Sequence, residues 1–357
     1  MKKINTDKKE GVSKPTGVFY RKYRPQTFED VVGQDHIIKV LEGSIKLGNI
    51  SHAYLFSGSR GTGKTSVARI LSREIGTTDG DLYEMDAASN RGIDDIRSIR
   101  DSVSTLPFES KYKVYIFDEV HMLTKDAWNA FLKTLEEPPA HVVFILATTE
   151  LGKVPETVIS RCQIFTFKEP SQKVLAEFSL NIAKKEGITL EKDAAELIAL
   201  LGDGSFRDSH GILEKVISST TDKNITREEI ELVTGAPKAE LVRNILESIV
   251  NENLEKGLKA VALARQENID IKLFIKLIIE RLRYLFLLRL KAGMEDNIKS
   301  QVSEDDFKFL QGLSDRAGKS FTSDILIRFI TAYEDINRTS IPELSLELAL
   351  ADSIKAE

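Results

Sequence analysis

Cysteine is almost missing from this chain: Cys162 is the only one in 357 residues. An internal disulfide and any cysteine-cluster metal site are therefore excluded. No apolar run approaches the ~18 residues that a transmembrane helix needs, so membrane spanning is not expected. The opening residues, MKKINTDKKEG, are basic but hold no apolar segment of the signal-peptide kind. They are expected to form a short solvated tail over residues 1–17 of a cytoplasmic protein. A strong charge imbalance is lacking too, since 50 Lys and Arg against 55 Asp and Glu leave −5. The whole chain is thus no polybasic coat for nucleic acid, although a sum does not forbid a local basic face. Internal repeats and low-complexity linkers are absent as well. What remains is ordinary globular composition, 41% hydrophobic and 29% charged, in a chain too long for one compact core.

The first 170 residues alternate strand-like and helix-like segments. Residues 53–57 (AYLFS), 113–118 (KVYIFD) and 142–147 (VVFILA) are apolar runs rich in β-branched and aromatic residues, and they read as strands. Thr65 to Ile75 and Lys125 to Leu135 read as helices, the second stopped by Glu-Glu-Pro-Pro. Nearly continuous apolar strands separated by helices predict a parallel sheet covered on both faces. After Phe167 the pattern turns helical, with polar breaks at 187–189, 202–205 and 221–224. The segment Ile269 to Lys291 is apolar nearly all round, which predicts a helix buried on several sides.

Residues 58–65 read Gly58-Ser59-Arg60-Gly61-Thr62-Gly63-Lys64-Thr65, with Ser66 next. This is G-x-x-x-x-G-K-[ST] placed after a strand and opening a helix. The glycines let backbone N–H groups turn toward phosphate oxygens, and the helix N-terminus adds partial positive charge. Lys64 is expected to reach the β/γ-phosphates, and the Thr65 hydroxyl to ligate Mg²⁺. The strand KVYIFD ends in Asp118-Glu119, at the strand end where open α/β sheets place ligand chemistry. Asp118 suits Mg²⁺, directly or through water, and Glu119 suits the residue that orients and deprotonates an attacking water. His121 forms no H-E-x-x-H pattern and is read as positioning or packing. Cys162 is read as a small apolar filler.

Several stretches together resemble the AAA+ clamp-loader ATPases, nearest the gamma/tau subunits of bacterial DNA polymerase III and somewhat further from the small subunits of replication factor C. They are YRKYRPQTFEDVVGQ (20–34), GSRGTGKTS, IFDEVHML, FLKTLEEPP, ATT (147–149), Ser160-Arg161-Cys162 and Gly204-Ser205-Phe206-Arg207-Asp208. The resemblance covers roughly residues 18–210. It implies an AAA+ P-loop domain over 18–170, a small helical lid over 171–234 and an all-helical collar over 235–357.

It also implies roles that spacing alone does not supply. Arg161 matches an arginine finger that reaches the ATP of a neighbouring subunit, where its bland alternative is a surface ion pair. Thr149 matches the sensor-1 position and Arg207 the sensor-2 position. Tyr23, Arg24, Pro25 and Val32 fall in the segment that encloses the adenine, although packing of an N-terminal strap would place them similarly. Arg97, with Arg91 and Arg100 as weaker candidates, matches phosphate contacts to primer–template DNA. Pairing to Asp94 and Asp101 on a solvated face is the alternative. Implied partners are copies of the chain, delta- and delta′-like subunits, a sliding clamp and DNA at replication forks; no membrane is implied.

The chain departs from the family where gamma/tau subunits usually carry a four-cysteine zinc module. Residues 76–83 hold no cysteine, so zinc is not expected there. The extension that follows the collar in tau is not expected, so the resemblance implies a gamma-like chain. Two rival readings are a stator-like subunit without catalysis and another AAA+ motor, such as a helicase loader or branch-migration ATPase.

Overall fold

The computed structural model describes residues 19–220, 223–290, 293–299, 302, 304–318 and 321–354; the tail expected over residues 1–17 lies outside them. Contacts divide the chain into two compact units. The first holds the described residues up to Pro170 together with Gly204–Glu214, and the second holds Ser171–Asp203 and those from Lys215 onward.

The first unit is built on five strands: β1 (Ala53–Ser57), β2 (Leu82–Asp86), β3 (Lys113–Asp118), β4 (Val142–Thr148) and β5 (Gln163–Thr166). They pair in the order β2-β3-β4-β1-β5, and every pairing is parallel. Period-2 alternation sorts each central strand between two cores. Leu55, Phe117, Phe144 and Leu146 face one core with Ile96, Ile99 and Val103 of helix 93–103 and Trp128, Phe131 and Leu135 of helix 125–136. Tyr54, Phe56, Ile116 and Ile145 face the other with Ile37 and Leu41 of helix 35–46 and Val67, Ile70 and Leu71 of helix 64–74. This two-sided burial is why β1, β3 and β4 read as unbroken apolar runs.

The register aligns the carboxyl ends of the strands: Ser57 lies opposite Thr148, and Asp86 opposite Asp118. The chain leaves β1 for the far edge, returns strand by strand to β4, then crosses β1 to reach β5. Strand order reverses beside β1 and β4, so the loops after β1, β3 and β4 emerge at the switch point of the sheet.

The two edge strands were not among the strands read from the sequence. β2 is LYEMD with Tyr83, Glu84 and Asp86 exposed or half-exposed, and β5 is QIFT with Ile164 exposed. An edge strand covered on one face only carries no apolar run. The turn before β2 and the loop at 108–110 are joined through Asp81. Its buried carboxylate accepts N–H groups of Phe108 at 2.6 Å, Glu109 at 2.9 Å and Ser110 at 2.9 Å. Burial alone would push this carboxyl up, but the three backbone donors outweigh it and hold the pKa at about 2.

Asp81→Ala leaves those three N–H groups without their acceptor, an expected loss of about 2–4 kcal/mol at neutral pH by chemical denaturation. The depressed native pKa fixes the sign of the pH dependence. The contribution is complete above the unfolded carboxyl value near 4 and disappears as pH falls toward about 2. The gap between parent and variant should narrow across that window; a gap independent of pH there would contradict the assignment.

The second unit is mainly helical, as read from the sequence. Two of its polar breaks, however, pair as a short parallel ribbon, β6 (Thr189–Leu190) with β7 (Asn224–Ile225). Helix Ile271–Arg289 buries Phe274, Ile275, Ile278, Leu282 and Leu285. It packs against helices 239–250, 304–316, 323–335 and 342–353, which accounts for its apolar circumference. Polar ties reinforce the unit: Asp306 accepts from Arg243 at 2.7 Å and from Arg281 at 3.1 Å. Among the described residues, no helix is long and apolar enough to cross a membrane.

Candidate nucleotide site

The loop after β1 needs glycine at two crowded places. Gly58 has φ 146°, and a Cβ there would lie 2.6 Å from the Phe167 carbonyl oxygen; Gly61 has φ 75°, and a Cβ would meet Ser205 Oγ at 2.0 Å. Both positions combine a backbone disfavoured for other residues with no room for a side chain. The loop is gripped from elsewhere in the same unit. The Phe206 N–H donates to the Gly61 carbonyl at 3.1 Å, and Ser59 Oγ donates to Glu169. Arg60 is exposed, whereas Thr62 is buried and donates through its hydroxyl to the Ser59 carbonyl at 2.9 Å.

Helix Lys64–Glu74 starts directly after Gly63, so its first N–H groups point back at the loop. Lys64 is 5% exposed, and its ammonium donates to the carbonyls of Gly58 at 2.6 Å and Ser59 at 2.8 Å. Burial pushes the Lys64 pKa down; the carboxylates of Glu119 and Asp118 oppose that and the Arg207 guanidinium adds to it. Thr65 Oγ1 donates to Asp118 Oδ2 at 2.8 Å. A hydroxyl and a carboxylate side by side make the oxygen-only donor set that suits a hard divalent cation. Ser66 follows, half-buried in the first helical turn.

Glu119 leaves β3 with φ 50° and ψ 44°, a left-handed backbone unusual for a non-glycine residue. Such a conformation costs of order 1–3 kcal/mol and persists where the surroundings over-determine it. Here the surroundings are Thr149, whose N–H and Oγ1 both reach Glu119 Oε2, at 3.3 and 2.9 Å. The sequence-predicted residues Lys64, Thr65, Asp118, Glu119 and Thr149 therefore meet at one end of β1, β3 and β4.

Arg207 joins them from segment 204–214, its guanidinium 6.0 Å from the Tyr20 ring centre. The strap before the first strand packs on the same segment. Tyr23 lies 6.3 Å from the His210 ring, and the Phe19 N–H donates to Glu214 at 3.1 Å. Burial lowers the Arg24 pKa, and the neighbouring cations Arg69 and Arg207 lower it further against Glu84. Pro25 follows Arg24 in this strap, and Val32 is 41% exposed beyond it.

Gln34 ends the motif over 20–34, and its buried amide brackets the Lys168 backbone. It donates to the carbonyl at 2.7 Å and accepts from the N–H at 3.1 Å. Glu169, which accepts from Ser59, and Phe206, which donates to Gly61, hold the phosphate loop. Each meets its partner across more than a hundred residues, a pairing that no local pattern announces.

Other sequence-predicted residues stand apart from this cluster. Arg161 binds Glu136 at 2.7 Å and the Thr157 carbonyl at 2.7 Å. Arg97 pairs with Asp94 at 3.0 Å, Arg100 lies 3.6 Å from Asp101, and Arg91 precedes their helix in an exposed position. Cys162 is packed against the core, and burial pushes its thiol up to about 12.

Comparison with known proteins places this geometry among relatives. A profile described as DNA polymerase III, delta subunit matches residues 77–171. The chain is 38% identical to DNA polymerase III subunit tau of Bacillus subtilis over 352 residues, 93% of this chain and 62% of that one. It is 35% identical to DNA polymerase III subunit gamma of Buchnera aphidicola over 301 residues, covering 78% of this chain and 81% of the relative. Against subunit tau of Escherichia coli identity is 37% over 274 residues, 71% of this chain and 42% of that one. The chain thus spans less than two thirds of either tau subunit. Among solved structures, the RuvB Holliday junction branch migration motor of Thermotoga maritima superimposes with a TM-score of 0.52 at 22% identity, over 70% of this chain and 86% of RuvB. That likeness extends to the fold alone.

Proposed function

The chain belongs to the gamma/tau family of DNA polymerase III subunits, and from that premise we propose an ATP-hydrolysing clamp-loader subunit that opens a sliding clamp and places it on primer–template DNA. The observation that carries this reading is the meeting of Lys64, Thr65, Asp118, Glu119 and Thr149 at one end of the sheet.

Backbone N–H groups of residues 58–65 and Lys64 take the phosphates of ATP, while the strap with Tyr23, Arg24, Pro25 and Val32 lies toward the base and sugar. Glu119 accepts the proton of the water that attacks the γ-phosphorus as the bond to the β-phosphate oxygen breaks. Thr65 and Asp118 would hold Mg²⁺, which would supply charge neutralisation at the phosphate oxygens. Thr149 and Arg207 respond to the γ-phosphate, and Arg161 completes the site of a neighbouring subunit. Residues 171–234 act as the lid and 235–357 as the collar that joins subunits in the cytoplasm.

Arg97, with Arg91 and Arg100, faces the DNA backbone. The pairings of Arg97 with Asp94 and of Arg100 with Asp101 are exposed and cheap to exchange for phosphates. The clamp is assigned to the loop 106–108, where Leu106 is 77% and Phe108 84% exposed on a backbone pinned by Asp81. A held loop presenting two large apolar side chains suits docking into an apolar pocket at little ordering cost.

Lys64→Ala tests the reading. Steady-state ATP hydrolysis by the chain with its partner subunits should fall to background, because the only lysine of the phosphate loop is gone. Hydrolysis at the parental rate would sink the proposal.

A further inference from the structure

His121 sits in the short 3-10 turn Val120–Met122 directly after Glu119, with its side chain 7% exposed. Its ring lies between two carboxylates. Nδ1 is 3.4 Å from Glu119 Oε2, and Nε2 is 3.4 Å from Glu150 Oε1. Thr148 Oγ1 lies 3.0 Å from Nδ1 and accepts the Glu150 N–H at 3.0 Å. The ring is therefore fastened to the end of β4, and Glu150 is in turn paired with Lys153 at 2.8 Å.

Three groups converge on the same Glu119 oxygen: the Thr149 N–H, the Thr149 hydroxyl and His121 Nδ1. Glu119 starts from a strained backbone, so its side-chain direction depends on these partners. Thr149 supplies the two hydrogen bonds to this oxygen, and the His121 ring, fastened by Thr148, lies 3.4 Å from the same atom. Beyond His121 and Glu150 the chain itself leads outward. Glu150 opens the turn Leu151–Lys153, followed by the short helix Glu156–Ile159 and then Arg161.

We propose that His121 is a positioning residue that sets the direction of the Glu119 carboxylate and links it, through Glu150, to the segment that carries Arg161. A subunit whose Arg161 segment shifts when it engages a neighbour would thereby adjust its own Glu119. The inference rests on the proposed ATP hydrolysis and on Glu119 as its base. The charged groups that face His121 are Glu119 on its own turn and Glu150, itself bound to Lys153, after β4.

The test is a double-mutant cycle on the chain reconstituted with its partner subunits, clamp and primer–template DNA. Parent, His121→Phe, His121→Gln, Glu150→Gln and the His121→Phe/Glu150→Gln double variant are compared for kcat, KM for ATP, affinity for a fluorescent ATP analogue and melting temperature. His121→Phe should lower kcat by about 100-fold with KM and affinity within about twofold, since misplacing a reacting group costs that order without touching binding. His121→Gln, which keeps a donor and an acceptor, should recover most of the loss. Glu150→Gln should lower kcat by about tenfold in the parent and change nothing further in His121→Phe.

Equal effects of Glu150→Gln in both backgrounds would overturn the inference, as would a His121→Phe loss that tracks melting temperature and affinity and is not relieved by glutamine. Faster turnover in His121→Phe would also overturn it. A parent that hydrolyses no ATP would remove the proposed function itself. An active parent with unaffected His121 variants removes only this inference.

Discussion

Glu119→Gln should bind ATP as the parent does and hydrolyse it about 10²–10⁴-fold more slowly. The asymmetry follows from which groups meet which part of the substrate. Phosphate recognition is assigned to residues 58–65, whose shape is fixed by Gly58 against Phe167, Gly61 against Ser205 and the Phe206 N–H on Gly61. None of these contacts involves Glu119. Glutamine keeps the length of the side chain and an oxygen for the Thr149 hydroxyl, now 2.9 Å away, so the local backbone need not move. Only the capacity to take a proton is lost. Single-turnover hydrolysis beside an equilibrium titration with a fluorescent nucleotide separates the two effects. Parental turnover in Glu119→Gln would move the base elsewhere, and loss of binding would make Glu119 part of the phosphate cradle.

Arg161→Ala should lower hydrolysis in the assembled complex by about 10³-fold while leaving the stability of the chain almost unchanged. In this chain Arg161 spends its guanidinium on Glu136, Thr157 and Ser160, with the ion pair about one-third to one-half exposed. Exposed pairs of this kind contribute less than about 1 kcal/mol. On the proposed function the same weakness would let Arg161 exchange Glu136 for a phosphate of a neighbouring site, where a guanidinium delivered in trans would stabilise the transferring group. The loss should appear only where neighbouring subunits meet. Equal slowing of the isolated chain would place Arg161 in its own site instead.

Legibility in the sequence followed burial. The strands β1 and β3 were read at their observed ends, and β4 proved one residue longer, because both faces of each are covered. The acidic β2 and four-residue β5 escaped because an edge strand needs apolar residues on fewer positions. The ribbon of β6 and β7 escaped for a different reason. Two residues paired across two intervening helices are stabilised by their partner rather than by any pattern of their own. In the candidate site, Gly58, Gly61 and Gly63 were legible because their positive φ angles admit little else, and Asp118 and Glu119 because they end a strand. Arg161, Thr149 and Arg207 were singled out by resemblance, since an arginine in an ion pair and a threonine at a strand end carry no signature. The grips of Glu169, Phe206 and Gln34 depend on chain crossings that only folding creates.

The central claim is that ATP turnover serves a clamp and DNA through a site shared between subunits. Its most direct test is steady-state ATPase of the reconstituted complex, with and without clamp and primer–template DNA, in the parent and in Arg161→Ala. Strong stimulation of the parent by clamp and DNA together, lost in Arg161→Ala, is the expected result. Turnover in the parent that is indifferent to clamp and DNA would contradict it.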